Sequence, residues 1–201
     1  MSIKINYSKN NYNKNSSNLV LFSNDKFNLN NVKKYLINSE LTYISDLLKT
    51  SDLKKNFLIF ELNSKKKIAL ISIKNNLKIS DIENLGAEFY GRINYGKNTE
   101  HYIISDSIDT KYDNFLGHFL HGLKLKSYEF NKYKSKKETR LISINVIGNK
   151  NKPSEKNQLK FKALEAGTFY ARDLVSEPGN ILHPDEYANR LNSLRKDGLK
   201  V

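Results

Sequence analysis

FLIFELNSKKKIALISI, residues 57 to 73, contains two short apolar runs separated by three polar residues. Both runs are rich in β-branched and aromatic residues, which strands favour. Because the separation is so short, we predict that residues 57 to 63 and 67 to 73 form a hairpin or two adjacent strands. Runs of the same kind predict further strands at Ile3 to Tyr7, Asn18 to Phe22, His101 to Ser105 and Arg140 to Ile147. Such short apolar runs suit strands covered on both faces.

Helical patterns lie between these predicted strands. Ser80-Asp81-Ile82-Glu83 matches a capping box, and the helix that it would open carries Ile82, Leu85, Phe89 and Ile93 on one side. In KYDNFLGHFLHGLKL, residues 111 to 125, apolar side chains recur three and four apart, which predicts an amphipathic helix. A weaker helical pattern covers residues 31 to 53. Strands that alternate with helices predict an α/β domain ending near Gly148.

The pattern changes after Gly148. GNKNKPSEKN, residues 148 to 157, has no apolar residue except its proline and predicts a polar linker. A helix is then predicted over residues 158 to 177, ended by Pro178, and its apolar stripe suggests that it packs against a partner. The stripe consists of Leu159, Ala163, Leu164, Ala166, Tyr170, Ala171, Leu174 and Val175. A second helix is predicted from Pro184 to Lys196, and residues 199 to 201 resemble the start of a strand.

Composition excludes several classes of protein. The 201 residues contain no apolar run long enough to cross a membrane, and the first residues lack the apolar middle of a signal peptide. The absence of Cys excludes disulfides and thiolate metal sites and fits a cytoplasmic protein. The net charge of +13 is compatible with nucleic-acid binding, but the lysines are spread along the chain. We therefore attribute the charge mainly to composition and keep DNA as a possible partner.

Histidines provide the first candidates for chemistry. His118 and His121 stand three residues apart on a predicted helix, a spacing that metal ligands can have. No third ligand is evident and both fall opposite the apolar stripe, so we interpret them as a solvated pair. His101 is interpreted as an edge residue at the start of a strand. His183, which precedes Pro184, is predicted to help cap the second helix.

Carboxylates provide the second set of candidates. Asp106 and Asp109 follow a predicted strand, where active sites of α/β proteins gather, but Ser-Asp-Ser-Ile-Asp is also ordinary loop chemistry. We favour the structural interpretation. Arg172 and Asp173 could form a salt bridge across a domain contact. The sequence holds no H-E-x-x-H, no G-x-S-x-G and no glycine-rich phosphate loop, so no catalytic or metal-binding residue is assigned.

Two segments carry a resemblance to a known family. GTFYARDLVSEPGNILHPDEYA, residues 167 to 188, resembles the domain junction of the leucyl aminopeptidases, the cytosol aminopeptidases, which carry A-R-D-L-V-N-E-P followed by A/G-N and T-P. Ser176 stands where the family has Asn, and His183 where it has Thr. GLKLKSYEFNKYKSKK, residues 122 to 137, is similar to the family's G-x-x-L-x-x-Y-x-F-x-x-Y-K segment. The two matches occur in the family's order.

The resemblance implies a fold and a division of the chain. It implies an α/β fold with a macro-domain-like N-terminal domain, a mixed sheet flanked by helices, over residues 1 to 148. A linker and long connecting helix would occupy residues 149 to 178, and residues 179 to 201 would begin a truncated catalytic domain. Structural junction roles alone are transferred to the matching residues, which are Gly167, Arg172, Asp173, Glu177, Pro178 and Asn180.

The resemblance also implies an activity that these residues do not perform alone. Leucyl aminopeptidases remove N-terminal residues from peptides with two divalent cations, commonly Mn or Zn, which polarise the carbonyl and activate a water. The family's metal-binding motifs, similar to V-G-K-G-x-T-F-D-x-G-G and N-T-D-A-E-G-R, do not occur here. We therefore expect an inactive N-terminal portion whose partners are its own C-terminal catalytic domain and further copies in a hexamer.

Two alternatives from other classes of protein stay open. The chain could be a stand-alone module that binds DNA or another subunit. It could also be a macro-like domain that binds a nucleotide derivative, although no glycine-rich loop follows a strand to hold phosphate.

Overall fold

A mixed α/β sheet domain forms most of the molecule. The computed structural model describes residues 3–8, 18–95, 99–135 and 140–201. The strands are β1 (Ile3–Ser8), β2 (Asn18–Asn24), β3 (Phe57–Glu61), β4 (Lys67–Ile73), β5 (Glu100–Ile104) and β6 (Ile142–Ile147). The helices are α1 (Asn38–Thr50), α2 (Ile79–Ile93), α3 (Phe115–Lys126), α4 (Glu155–Ser176) and α5 (Pro184–Ser193). The predicted α/β class, with a mixed sheet flanked by helices and a long helix after it, is confirmed.

The sheet has the order β1-β6-β5-β2-β4-β3. All neighbouring strands run parallel except β3 and β4, which pair antiparallel with Phe57 opposite Ile71 and Glu61 opposite Lys67. The predicted hairpin is therefore confirmed. Strand β2 lies inside the sheet, and its first six residues are buried, including the apolar run from Leu19 to Phe22, as expected when helices cover both faces.

Alternate residues of each strand point to opposite helical layers. On β2, Val20 and Phe22 join the core formed with α2 and α3, while Leu19 and Leu21 join the core on the side of α1. Helix α4 packs on α3 rather than on the sheet. This places α4 in an outer layer, with one side turned towards the domain.

Helices α2 and α3 approach each other at two glycines. A Cβ atom on Gly86 would lie 1.9 Å from the Phe119 carbonyl oxygen, and one on Gly122 would lie 1.8 Å from the Glu83 carbonyl oxygen. Any side chain at either position would therefore force the two helix backbones apart.

The capping box predicted at Ser80 is wrong by two residues. Helix α2 begins at Ile79, and the Lys78 N–H donates to the Asp81 carboxylate at 2.8 Å. Asp81 therefore has the role predicted for Glu83. Glu83 lies further along the helix, where it meets α3.

The segment after β6 is held against the sheet domain. The Asp106 carboxylate accepts from the N–H groups of Asn149 and Lys150 at 2.8 and 2.6 Å, a contact of the structural kind that we favour for Asp106. Helix α4 starts at Glu155, inside the predicted linker, and the Ser154 hydroxyl accepts from the Asn157 N–H. The predicted linker is therefore shorter than expected and is bound to the domain.

The last described residues differ from the sequence prediction in one respect. Helix α5 begins at Pro184 as predicted, continues as a single 3-10 turn to Asp197, and stops at Gly198 with a positive φ of 83°. Residues 199 to 201 form no strand, so that prediction is wrong. A strand needs a neighbour to accept its hydrogen bonds, and no described strand lies beside these residues. Among the described helices, none combines the length and apolarity needed to cross a bilayer.

Candidate functional site: the junction around helix α4

Helix α4 faces the domain through two phenylalanines that the predicted stripe omitted. Phe161 and Phe169 are the buried residues of this 22-residue helix. The Phe161 ring lies 5.1 Å from the His118 ring and 5.0 Å from the His121 ring, measured between centroids. The Phe169 ring lies 5.4 Å from that of Tyr128. Aromatic contacts therefore fix the inner side of α4.

The two histidines on α3 are not a solvated pair. His118 Nδ1 lies 3.0 Å from Glu83 Oε1, and His121 Nδ1 lies 3.2 Å from Glu165 Oε1. His121 is buried under α4. The interpretation failed because α4, a later segment, covers the face of α3 that the local pattern left polar. Each histidine instead connects α3 to a carboxylate on a neighbouring helix.

The residues present do not fit the cation pair that the resemblance implies. Within residues 3–8, 18–95, 99–135 and 140–201, no group of three or more His, Asp or Glu side chains is placed to hold a metal ion. The two His–Glu contacts described above use separate carboxylates on separate helices. We therefore assign no metal ligand to this part of the chain.

His101 lies in the interior rather than at an edge, which corrects its interpretation. Strand β5 lies between β2 and β6 in the sheet, and His101 is buried beside Phe89. Burial, together with the nearby charges of Arg140 and Lys67, lowers the pKa of His101 to about 4. The imidazole is therefore neutral at neutral pH.

The predicted apolar stripe of α4 points away from the domain. Leu159 is 67% exposed and Val175 is 87% exposed, although the stripe was expected to pack against a partner. Leu159, Ala163, Ala166 and Tyr170 follow one another at spacings of four, three and four, so they share one side of the helix. We call these four residues the outer face of α4. Only Tyr170 is partly covered, because its hydroxyl donates to the Arg190 carbonyl of α5 at 2.8 Å.

Glu177, directly after α4, accepts hydrogen bonds from three side chains on two other segments. Lys132 Nζ lies 2.5 Å and Arg190 Nη1 2.9 Å from Glu177 Oε1, and the Tyr133 hydroxyl donates to the second oxygen. The Glu177 side chain is 1% exposed. Hydrogen bonds from Lys132, Tyr133 and Arg190 lower the pKa of Glu177 to about 2. Arg190 also pairs with Glu186 at 2.8 Å. We call these residues the Glu177 cluster.

Arg172 and Asp173 do not pair with each other, which corrects the predicted salt bridge. Arg172 Nη1 donates to the Leu125 carbonyl at 2.7 Å, and the Tyr128 hydroxyl donates to Asp173 at 2.7 Å. Adjacent residues on a helix point in different directions, so Arg172 meets the last turn of α3 while Asp173 meets the segment after it.

The remaining junction residues shape the turn into α5. The Pro178 carbonyl accepts from the Ile181 and Leu182 N–H groups, both at 2.9 Å, while Asn180 is exposed in the same turn. A Cβ atom added at Gly167 would meet no atom within 4 Å. His183 takes the capping position before α5, but its side chain makes no capping hydrogen bond to the described residues. The structural roles assigned to the six matching residues stay predictions.

The two segments that carry the family resemblance meet in this junction. Tyr128, Lys132 and Tyr133 belong to the first segment, and they contact Asp173 and Glu177 of the second. Sequence reasoning did not assign roles to these three residues or to Arg190. The sequence did contain a signal, because Tyr128 and Tyr133 fall on motif positions of the first segment. Neither segment alone, however, shows that the two segments contact each other. Lys136 and Lys137, at the end of that segment, lie outside the described residues.

Comparisons with known proteins concern the fold and the sequence as a whole. The fold is similar to that of part of a leucine aminopeptidase: a tomato leucine aminopeptidase mutant superposes with a TM-score of 0.75 at 18% identity, covering 97% of this chain and 42% of that one. The cytosol aminopeptidase of Coxiella burnetii superposes with a TM-score of 0.62 at 14% identity, covering 98% and 38%. No family profile matches the chain.

The sequence comparison finds cytosol aminopeptidases as relatives. A probable cytosol aminopeptidase of Dinoroseobacter shibae is 39% identical over 80 residues, which span 40% of this chain and 16% of that relative. The chain is thus similar to cytosol and leucine aminopeptidases, and it spans less than half the length of the proteins that it matches.

Proposed function

We propose that this chain is the N-terminal, non-catalytic portion of a leucyl aminopeptidase, which removes N-terminal residues from peptides. The observation that carries the proposal is the match to the tomato enzyme, which takes in 97% of this chain but 42% of the enzyme. In this proposal the remaining catalytic part binds two divalent cations, Mn or Zn. Residues 3–201 have a structural role and support that part. The names of the relatives support placing the protein in the cytoplasm.

In this proposal the outer face of α4 is where the catalytic domain docks. Leu159 is exposed and Ala163 and Ala166 beside it are small, so a second helix can approach closely along this side. Covering a side chain such as Leu159 contributes about 2 kcal/mol. The Glu177 cluster would then fix the direction in which the chain leaves α4, because it connects α5 to the segment after α3. We call this chain together with a catalytic domain the joined protein. The joined protein would assemble into a homo-oligomer, a hexamer as in the family.

Hydrolysis of leucine p-nitroanilide in the presence of Mn²⁺ or Zn²⁺ tests the proposal. We expect background rates from the 201-residue chain and metal-dependent release from the same chain joined to a catalytic domain. The reading frame beyond Val201 is expected to encode a segment similar to V-G-K-G-x-T-F-D. Metal-dependent activity of the 201-residue chain, or a stop codon in place of that segment, would contradict the proposal.

A pair of variants on α4 tests the docking surface separately from the activity. Leu159→Asp is expected to lower the melting temperature of the joined protein and to leave that of the 201-residue chain unchanged. Lys160→Asp, one position along the same helix, is expected to change neither. Equal effects of Leu159→Asp on both proteins would assign Leu159 to the fold of the domain rather than to docking.

The second candidate function is a stand-alone module that binds DNA or another subunit. The net charge of +13 favours it, because lysines that neutralise phosphates release counterions from the duplex. Retention of the chain on a DNA column that falls steeply with rising salt, without a downstream catalytic sequence, would support this function. Weak retention with little dependence on salt would leave the aminopeptidase proposal as the better account.

A further inference from the structure

A cavity of about 570 Å³ lies between strand β1, helix α3 and helix α4. Volumes of this order are typical of sites for small molecules. Its wall is mainly apolar, and the apolar side chains come from all three elements: Ile3, Ile5, Leu120, Phe161 and Phe169. A ligand with an apolar body would therefore fit between the edge of the sheet and α4.

One cation is buried in this apolar wall. Lys124 is 9% exposed, and its ammonium donates to the Ile3 carbonyl at 2.5 Å. Within the described part of the chain, no carboxylate lies within 4.0 Å of this ammonium, and one of its three donors has an acceptor. Burial lowers the pKa of Lys124, while the negative charge of Glu165 raises it. A buried ammonium with donors to spare is unfavourable unless an anion meets it.

The other charges on the wall also favour an anion. Lys4 and Lys162 line the cavity, while the Glu165 carboxylate is already engaged by His121 at 3.2 Å. Tyr7 adds a phenol, and burial together with the charge of Glu165 raises its pKa to about 12. The phenol is therefore neutral and can donate a hydrogen bond to an acceptor in the cavity.

We propose that this cavity binds a small monocarboxylate with a branched or aromatic apolar body, whose carboxylate meets the Lys124 ammonium. The body would lie against Phe161 and Phe169, the same rings that hold α4 on the domain. One carboxylate suits the site better than a phosphate, because Lys124 alone of the three lysines on this wall is buried, while Lys4 and Lys162 are exposed to solvent. This inference stands on the cavity itself and does not depend on the proposed function.

Isothermal titration calorimetry with isocaproate tests the charge preference. Isocaproate, a branched acid, is expected to bind the chain with a Kd of at most about 10 mM, an affinity that so small a ligand can reach. Isohexylamine has the same branched body with the opposite charge, and it is expected not to bind. Binding of the amine as tight as that of the acid, or no binding of the acid, would overturn the proposal.

Three variants locate the site. Lys124→Met is expected to weaken isocaproate binding at least about tenfold, because a charge-assisted hydrogen bond is lost. Lys126→Met, at an exposed position on the same helix, is expected to leave binding unchanged. Ala166 lies at the border between the outer face of α4 and the wall of the cavity, so Ala166→Phe can fill the cavity without altering Lys124. This variant tests the site even if Lys124→Met fails to fold. Unchanged binding in Ala166→Phe would exclude this cavity as the site.

Discussion

Truncation of Phe161 to alanine should release α4 from the domain. The ring is 7% exposed and lies between His118 and His121, with centroid distances of 5.1 and 5.0 Å. Removal of a buried phenylalanine costs about 3 to 5 kcal/mol, and the cavity beside this ring lets the surroundings relax, so we expect about 3 kcal/mol. Leu159, two residues earlier, is 67% exposed on the outer face. Leu159→Ala should therefore change the free energy of unfolding by less than about 0.5 kcal/mol.

Urea denaturation and amide hydrogen exchange measure this difference. With a urea m value of about 2 kcal/mol/M, the midpoint of Phe161→Ala should fall by about 1.5 M. Exchange should accelerate most in α4, because that helix has Phe161 and Phe169 as its buried contacts. Equal midpoints for Phe161→Ala and Leu159→Ala would refute the conclusion that the inner side holds α4 in place.

Two further predictions concern the packing of the helices and the junction. Gly122→Ala should destabilise the chain by about 3 kcal/mol in thermal unfolding, because the new Cβ would lie 1.8 Å from the Glu83 carbonyl oxygen. Gly91→Ala, whose Cβ meets nothing within 4 Å, should stabilise it by about 0.5 kcal/mol. The Glu177 cluster should be stable above pH 4.5 and weaken as the pH falls towards 2, because the pKa of Glu177 in the folded chain is below its ordinary value. Chemical shifts of the α5 amides should follow this titration, and Glu177→Gln should abolish it; an unchanged titration in that variant would assign it to another group.

The sheet could be predicted from the sequence because strand signals are local. The hairpin of β3 and β4 and the start of α5 at Pro184 follow from neighbouring residues, and both are confirmed. The cap of α2 is not where the sequence predicts it, because the Asp81 carboxylate rather than the Glu83 carboxylate closes the first turn by accepting from the Lys78 N–H. Lys66 is a residue whose burial could not be predicted from its neighbours in the sequence. It belongs to the three polar residues between the two predicted strands, yet its ammonium is buried against Glu40 of α1.

By itself the sequence determined the elements, their alternation and the two segments that resemble the leucyl aminopeptidases. Tertiary structure decided which side of α4 is covered, because Phe161 finds the histidines of α3 while Leu159 finds no described neighbour that buries it. Tertiary structure also decided that Glu177 accepts hydrogen bonds from Lys132 and Tyr133, which lie more than forty residues earlier in the chain. The physical reason is that periodicity reports which residues share a side of a helix, whereas burial depends on what the rest of the chain brings to that side.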